Sequence, residues 1–241
     1  MRRPAHAVVA AACALTLSGC SALFPPLLPA RPVDGAPFDR VVVATTPSVA
    51  KVGGVSCSGG ELIGSAFVAG DHLLLTAAHV VTGARTVELR FPGRAPLAAD
   101  LVVVDADDDT AVLQVLGDLP PALALARDPI TAGDPVVVVG YPLAEQQART
   151  TLARVTALDE TATLEGHALR DMLAIDAQVL TGSSGGPVVD AAGRVRGMVS
   201  AQISGRGGRD SSQLVTLGVP AARLAQRLAS AANLPAPTPC T

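Results

Sequence analysis

Thr181-Gly182-Ser183-Ser184-Gly185-Gly186-Pro187 reads as a loop that presents a serine. Its glycines let the backbone turn tightly with little side-chain obstruction. Such a turn aims the amides of Gly182 and Ser184 at one point, as an oxyanion hole requires. A serine hydroxyl is a weak nucleophile at neutral pH. It needs a base within hydrogen-bond reach, and the base needs a third group to fix its tautomer. Both have candidates upstream, in Thr76-Ala77-Ala78-His79-Val80 and in Asp109-Thr110-Ala111-Val112-Leu113. Each segment alone carries little. All three, in the order His, Asp, Ser, carry a joint signal.

Within these segments the candidates rank. Ser184 is preferred over Ser183 as nucleophile because it directly precedes Gly185-Gly186-Pro187. His79 follows the apolar run Leu73–Leu75, which places it at a strand end facing a cleft; His72 and His167 have no comparable context and read as surface residues. Four acids, Asp105, Asp107, Asp108 and Asp109, crowd one turn. The acid that orients a catalytic histidine is buried. Asp109 directly precedes the apolar stretch Ala111–Leu116 and is the one expected to turn inward, with Asp108 the second choice.

Outward from this loop the pattern is strand-like. Leu62–Ala69 and Leu73–Leu75 flank a turn expected at Gly70-Asp71. Further strands are expected at Thr86–Phe91, Ala98–Asp105, Ala111–Leu116 and Pro135–Gly140, then at Thr151–Leu158, Leu169–Ala177, Val188–Asp190, Val195–Ala201 and Gln213–Val219. Strands this close together, with turn residues between them, point to an all-β sandwich or barrel. The one good helical pattern spans Pro220 to Ala232, with Leu224, Leu228 and Ala231 on one face. The chain is long enough for a substantial core, and with 49% apolar but only 2% aromatic residues that core must be built from Val, Leu, Ala and Ile. A net charge of −3 argues against a nucleic-acid partner. The Gly-rich stretch with Arg206 and Arg209 reads as a surface loop. Lys51 is the single lysine and reads as a consequence of an Arg- and Ala-rich coding bias.

The N-terminus reads as a targeting segment. Arg2 and Arg3 precede a short apolar run, Ala7–Leu17, followed by Leu17-Ser18-Gly19-Cys20. This is the plan of a signal peptide over residues 1–19, with an ending that resembles the bacterial lipobox and marks Cys20 for lipidation. An ordinary secretory signal with an incidental cysteine is the alternative. Residues 20–37 are Pro-rich and read as an extended linker, with the folded domain at 38–241. With Cys13 lost and Cys20 lipidated, Cys57 and Cys240 remain; an exported compartment permits a bridge between them. Two unrelated thiols are the other possibility.

The segments around His79, Asp109 and Ser184 resemble those of the trypsin-like serine proteases of the HtrA type. Within that type they are most similar to the periplasmic protease domains of the membrane-anchored acid-resistance proteases of mycobacteria. The resemblance covers about residues 38–241 and includes Val55-Ser56-Cys57-Ser58 and Pro239-Cys240-Thr241, which look like that branch's disulfide-bearing ends. It implies two six-stranded antiparallel β-barrels, the chymotrypsin fold, with the triad in the cleft between them, and a Cys57–Cys240 bridge relevant to activity. Aligned on Ser184, it puts Gln178 at the base of the primary specificity pocket and Ser200-Ala201-Gln202 along its wall, where a substrate strand would pair. With no acid at the base, an uncharged side chain is expected there rather than Arg or Lys. Three departures stand out: Ser183 replaces the usual Asn before the nucleophile, no PDZ domain is expected after the protease domain, and a lipobox stands in place of transmembrane helices.

The expectation is a serine endopeptidase of the bacterial cell envelope, lipid-anchored, acting on polypeptide substrates and using no metal or organic cofactor. The runner-up is a latent or inactive binding scaffold that keeps the protease fold. A serine esterase is a poorer third, since the Gly-x-Ser-x-Gly hydrolases place His last.

Overall fold

The computed structural model describes residues 33–204, 214–231 and 240. The expected signal peptide, Cys20, most of the Pro-rich linker and the Arg206/Arg209 loop lie outside these residues. No helix among the described residues is long and apolar enough to cross a membrane.

The described residues form two closed six-stranded antiparallel barrels. The first comprises β1 (Val49–Ser56), β2 (Glu61–Gly70), β3 (Leu73–Thr76), β4 (Ala84–Arg90), β5 (Leu97–Asp105) and β6 (Thr110–Gln114), ordered β1-β2-β3-β6-β5-β4. It closes where Lys51 to Ser56 of β1 pair with β4. The second comprises β7 (Pro135–Gly140), β8 (Arg149–Leu164), β9 (His167–Ile175), β10 (Pro187–Val189), β11 (Val195–Ser204) and β12 (Leu214–Pro220), ordered β10-β11-β12-β9-β8-β7. It closes through Val188 and Val189 against β7. Closure leaves no unpaired sheet edge, so Val-rich strands such as Val136–Val139 can be buried along their length.

One apolar cluster runs through both barrels, from Phe67, Leu75 and Val112 in the first to Val139, Met172 and Leu217 in the second. The four described aromatics, Phe38, Phe67, Phe91 and Tyr141, are all buried. In a chain so poor in rings, each is used as core rather than left on the surface.

Three α-helices are found among the described residues. α1 (Ala36–Thr45) was not legible: its Val41-Val42-Val43 run favours strands, yet Phe38, Val41 and Thr45 fall on one buried helical face. It also begins inside the stretch read as linker, with Pro37 in its first turn, where a missing N–H costs nothing. α2 (Ala78–Val81) is a single turn after β3. α3 (Ala221–Ser230) follows Pro220, which stays extended and ends β12. Leu224 is buried beneath α3, and Arg223 and Arg227 pair with Asp108 on the β5–β6 turn, Arg227 at 2.6 Å.

Several boundaries differ from those expected. β1 was missed, since Gly53-Gly54 weakens its strand signal. The β2–β3 turn is Asp71-His72, with His72 left-handed (φ 59°), while Gly70 still pairs with Leu73. β8 and β9 run on to a two-residue turn, Glu165-Gly166, with positive φ at both positions, the chemistry of a type I′ hairpin. Cys57, in the β1–β2 turn, is bonded to Cys240 with Cα atoms 5.5 Å apart.

Candidate active site

Residues from both barrels converge in the cleft. β3 delivers His79 on α2, between the buried Ala78 and Val80. The β5–β6 turn delivers Asp109 in the left-handed conformation (φ 46°), which a short polar side chain such as Asp tolerates better than most. Asp105 caps this turn by accepting the Asp108 N–H (3.0 Å).

Asp109 is buried, and its two oxygens are fully engaged. Oδ1 accepts the His79 backbone N–H (3.0 Å) and lies 2.9 Å from His79 Nδ1; Oδ2 is 3.0 Å from Nδ1 and accepts the Ser200 hydroxyl. A carboxylate facing Nδ1 requires Nδ1–H as donor, so Nε2 is left with its lone pair. The other acids of the turn are used elsewhere. Asp108 pairs with α3, and the exposed Asp107 meets His167 Nδ1 at 2.8 Å. Of the four, Asp109 is the one that meets His79.

Burial pulls the His79 imidazole toward its neutral form. The hydrogen bond that Nδ1–H donates to Asp109, that carboxylate's charge and the charge of Glu165 at the β8–β9 turn outweigh it, and the pKa stands above the ordinary histidine value.

The nucleophile loop is held by backbone geometry. Gly182 (φ 98°) and Gly185 (φ 85°) are left-handed, and a Cβ at these positions would lie 2.6 Å from Tyr141 O and 2.0 Å from Ser65 O respectively. Side chains there are excluded on both counts. Thr181 O accepts the Leu143 N–H (2.8 Å). In a planar trans peptide the next N–H points the opposite way, so the Gly182 amide faces away from Leu143. Among the described residues neither the Gly182 nor the Ser184 amide has an acceptor. Ser183 is buried against Gly140, whereas Ser184 is half-exposed and its hydroxyl donates to Ser200 O at 3.2 Å.

Three residues hold the site through contacts that the sequence reading did not assign to them. Ser65 is fully buried in β2: its hydroxyl donates to Gly182 O (2.8 Å) and accepts the Tyr141 N–H (2.8 Å), and its own amide donates to Ser184 O (2.8 Å). Thr76 supports it by donating to Ser65 O (2.7 Å). The Ser200 hydroxyl donates to Asp109 Oδ2.

The four residues expected around the specificity pocket make different contacts. Gln178 is exposed on the stretch 176–180 that leads to the nucleophile loop. Ala201 is half-buried, and Gln202 Nε2 donates to Val179 O at 2.7 Å. No group of three or more His, Cys, Asp or Glu stands together as a metal site among the described residues.

Comparison with known proteins places the chain in a family. The trypsin-like peptidase domain model matches residues 64–198. Serine protease Rv3671c of Mycobacterium tuberculosis is 35% identical over 184 residues, 72% of this chain and 45% of that protein. The Do-like serine protease HtrA of Bacillus subtilis is 30% identical over 56% of this chain and 31% of its own length. The chain thus spans less than half the length of these relatives. The crystal structure of the active form of the Rv3671c protease superposes with a TM-score of 0.74 at 31% identity, covering 87% of this chain and 90% of that one. Its inactive form gives 0.67 at 32% identity, covering 83% and 96%. The chain belongs to the trypsin-like peptidase domain family.

Proposed function

We propose that this chain is a serine endopeptidase of the bacterial cell envelope. What supports the reading most is one constellation: a buried Asp109 holding Nδ1 of His79, with Nε2 free, in the cleft that the Ser184 loop borders from the other barrel. In the reaction, Ser184 Oγ attacks the substrate carbonyl as His79 Nε2 takes its proton. The Gly182 and Ser184 amides hold the oxyanion. The protonated His79 then gives its proton to the leaving amine and an acyl-serine forms. Water, deprotonated by the same imidazole, releases the acid. Asp109 keeps the ring in the productive tautomer and stabilises its cationic form. Before attack the Ser184 hydroxyl must rotate away from Ser200 O, so the resting arrangement carries one side-chain step, which is the trace of the latent reading.

The site selects an uncharged side chain at the residue it cleaves after. Two bridges span the slot between stretch 176–184 and β11: Ser184 Oγ to Ser200 O, and Gln202 Nε2 to Val179 O. The two bridges lie two residues apart along β11, roughly 7 Å, with Ala201 between them. Peptide-library digestion read by mass spectrometry should give internal cleavage after small or medium apolar residues. Gln202→Gly should raise kcat/KM for Leu or Phe at that position roughly tenfold. Preferred cleavage after Lys or Arg would contradict the assignment.

The base must be neutral to act, so activity should rise with pH through a midpoint above the ordinary histidine value of about 6.5. Stability runs the other way. A raised folded pKa stabilises the protein most below the unfolded value, and that contribution is lost as pH rises through the folded one. A kcat/KM profile with its midpoint at or below the ordinary value contradicts the ion-pair account.

The chain is anchored by lipid at Cys20 on the outer face of the cytoplasmic membrane and acts on envelope or misfolded exported proteins; acyl mass on Cys20 in the membrane fraction checks the anchor. The Cys57–Cys240 disulfide joins residues 183 positions apart in sequence, and its reduction should cost about 2–5 kcal/mol of folding stability. An unchanged denaturant midpoint after reduction would show that the bridge contributes nothing.

A further inference from the structure

We infer that Lys51 is a positioning residue that keeps the Gly182 amide aimed into the cleft, an inference that rests on the serine-protease reading above. Lys51 and Ser65 sit directly opposite each other in the β1–β2 ladder, so their side chains leave the first barrel on the same face. Both reach one segment of the second barrel, residues 141–145. Ser65 Oγ accepts the Tyr141 N–H, while Lys51 Nζ donates to Glu145 O (3.0 Å) and approaches Leu143 O (3.5 Å). That segment turns on itself through Glu145 N–H to Pro142 O (2.9 Å), and Leu143 N–H donates to Thr181 O (2.8 Å). This last bond orients the Thr181–Gly182 peptide and with it the Gly182 amide.

The chain of contacts is short and continuous: Lys51 ammonium, Leu143 and Glu145 carbonyls, Leu143 N–H, Thr181 O, Gly182 N–H. Leu143 itself is exposed and gives its segment little apolar anchorage. Without the ammonium, the carbonyls of Leu143 and Glu145 turn to water and the Leu143 N–H loses its fixed aim. A compact ammonium with three donors suits two carbonyls converging from different directions. The single lysine of the chain therefore stands at a position with a definite task.

The test compares wild type, Lys51→Met and Lys51→Arg. Lys51→Met keeps the stem and removes the charge. It should lower kcat roughly 10–100-fold, part of the loss seen when an oxyanion donor is removed outright, with KM and melting temperature unchanged. Lys51→Arg, which retains donors toward the carbonyls, should recover most of kcat. Hydrogen exchange should speed up in 142–148 and 180–184 of Lys51→Met and nowhere else. Wild-type kcat in Lys51→Met, or a kcat loss matched by a lowered melting temperature and not recovered by Arg, overturns the inference. If the wild type cleaves no peptide, the protease reading fails; the exchange comparison then still decides whether Lys51 orders the loop, and unchanged exchange overturns it.

Discussion

Ser184→Ala is expected to lower kcat by about a million-fold while leaving the fold intact. Both halves follow from the geometry. The hydroxyl is the only group removed, and in the resting structure it makes one 3.2 Å hydrogen bond, to Ser200 O. The loop is held by bonds that alanine keeps: Ser184 O accepting from Ser65, Gly185 N–H to Val199 O and Gly186 N–H to Ser183 O. The melting temperature should therefore stay within the small change typical of a partly exposed site. Neighbouring Ser183 cannot substitute, because it is buried against Gly140. Retained peptide turnover in the variant, by a fluorogenic substrate with kcat and KM separated, would remove Ser184 from the mechanism.

Asp109→Asn carries the second largest effect, about 10,000-fold in kcat. Asparagine is nearly isosteric and tolerates the left-handed turn, so the change is chemical more than structural. Asp109 accepts at both oxygens, from the His79 backbone N–H and ring and from the Ser200 hydroxyl. An amide offers one acceptor and one donor in their place. If its NH2 faces Nδ1, the ring must carry its proton on Nε2 and can no longer take one from Ser184. If its oxygen faces Nδ1, the NH2 meets the Ser200 hydroxyl, and the imidazolium formed during attack has lost its counter-charge in either case. KM should change little. A loss of less than tenfold would mean that another acid orients His79.

What could be read in the sequence divides along a physical line. The tight turn at residues 181–187 was legible because its glycines answer to backbone constraints within a few residues. Gly182 and Gly185 take left-handed conformations and have backbone atoms where a Cβ would go. The burial of Asp109 was legible because the apolar stretch Ala111–Leu116 begins two residues later. The strands of the second barrel were legible as Val-rich runs, and α3 as a periodic apolar face behind a proline. By contrast, α1 was hidden by β-favouring valines that take helical form only because Phe38 and Val41 pack on the barrels. Ser65 was hidden because its task, joining Gly182 to Tyr141, exists only once two barrels meet. Lys51 was hidden for the same reason, since its partners lie in a segment remote in sequence. The Ser200 hydroxyl's bond to Asp109 was hidden too, since it joins β11 to the β5–β6 turn of the other barrel. Local constraints leave a local signal; contacts made across the cleft do not.

The central claim is that Ser184 is an activated nucleophile. The most direct measurement is intact and peptide-level mass spectrometry after exposure to a small fluorophosphonate, on wild type and Ser184→Ala at neutral pH. The expected result is one phosphonyl adduct per chain, mapped to Ser184 and missing from the variant. No adduct on the folded wild-type protein, or an adduct that persists in Ser184→Ala, would contradict it.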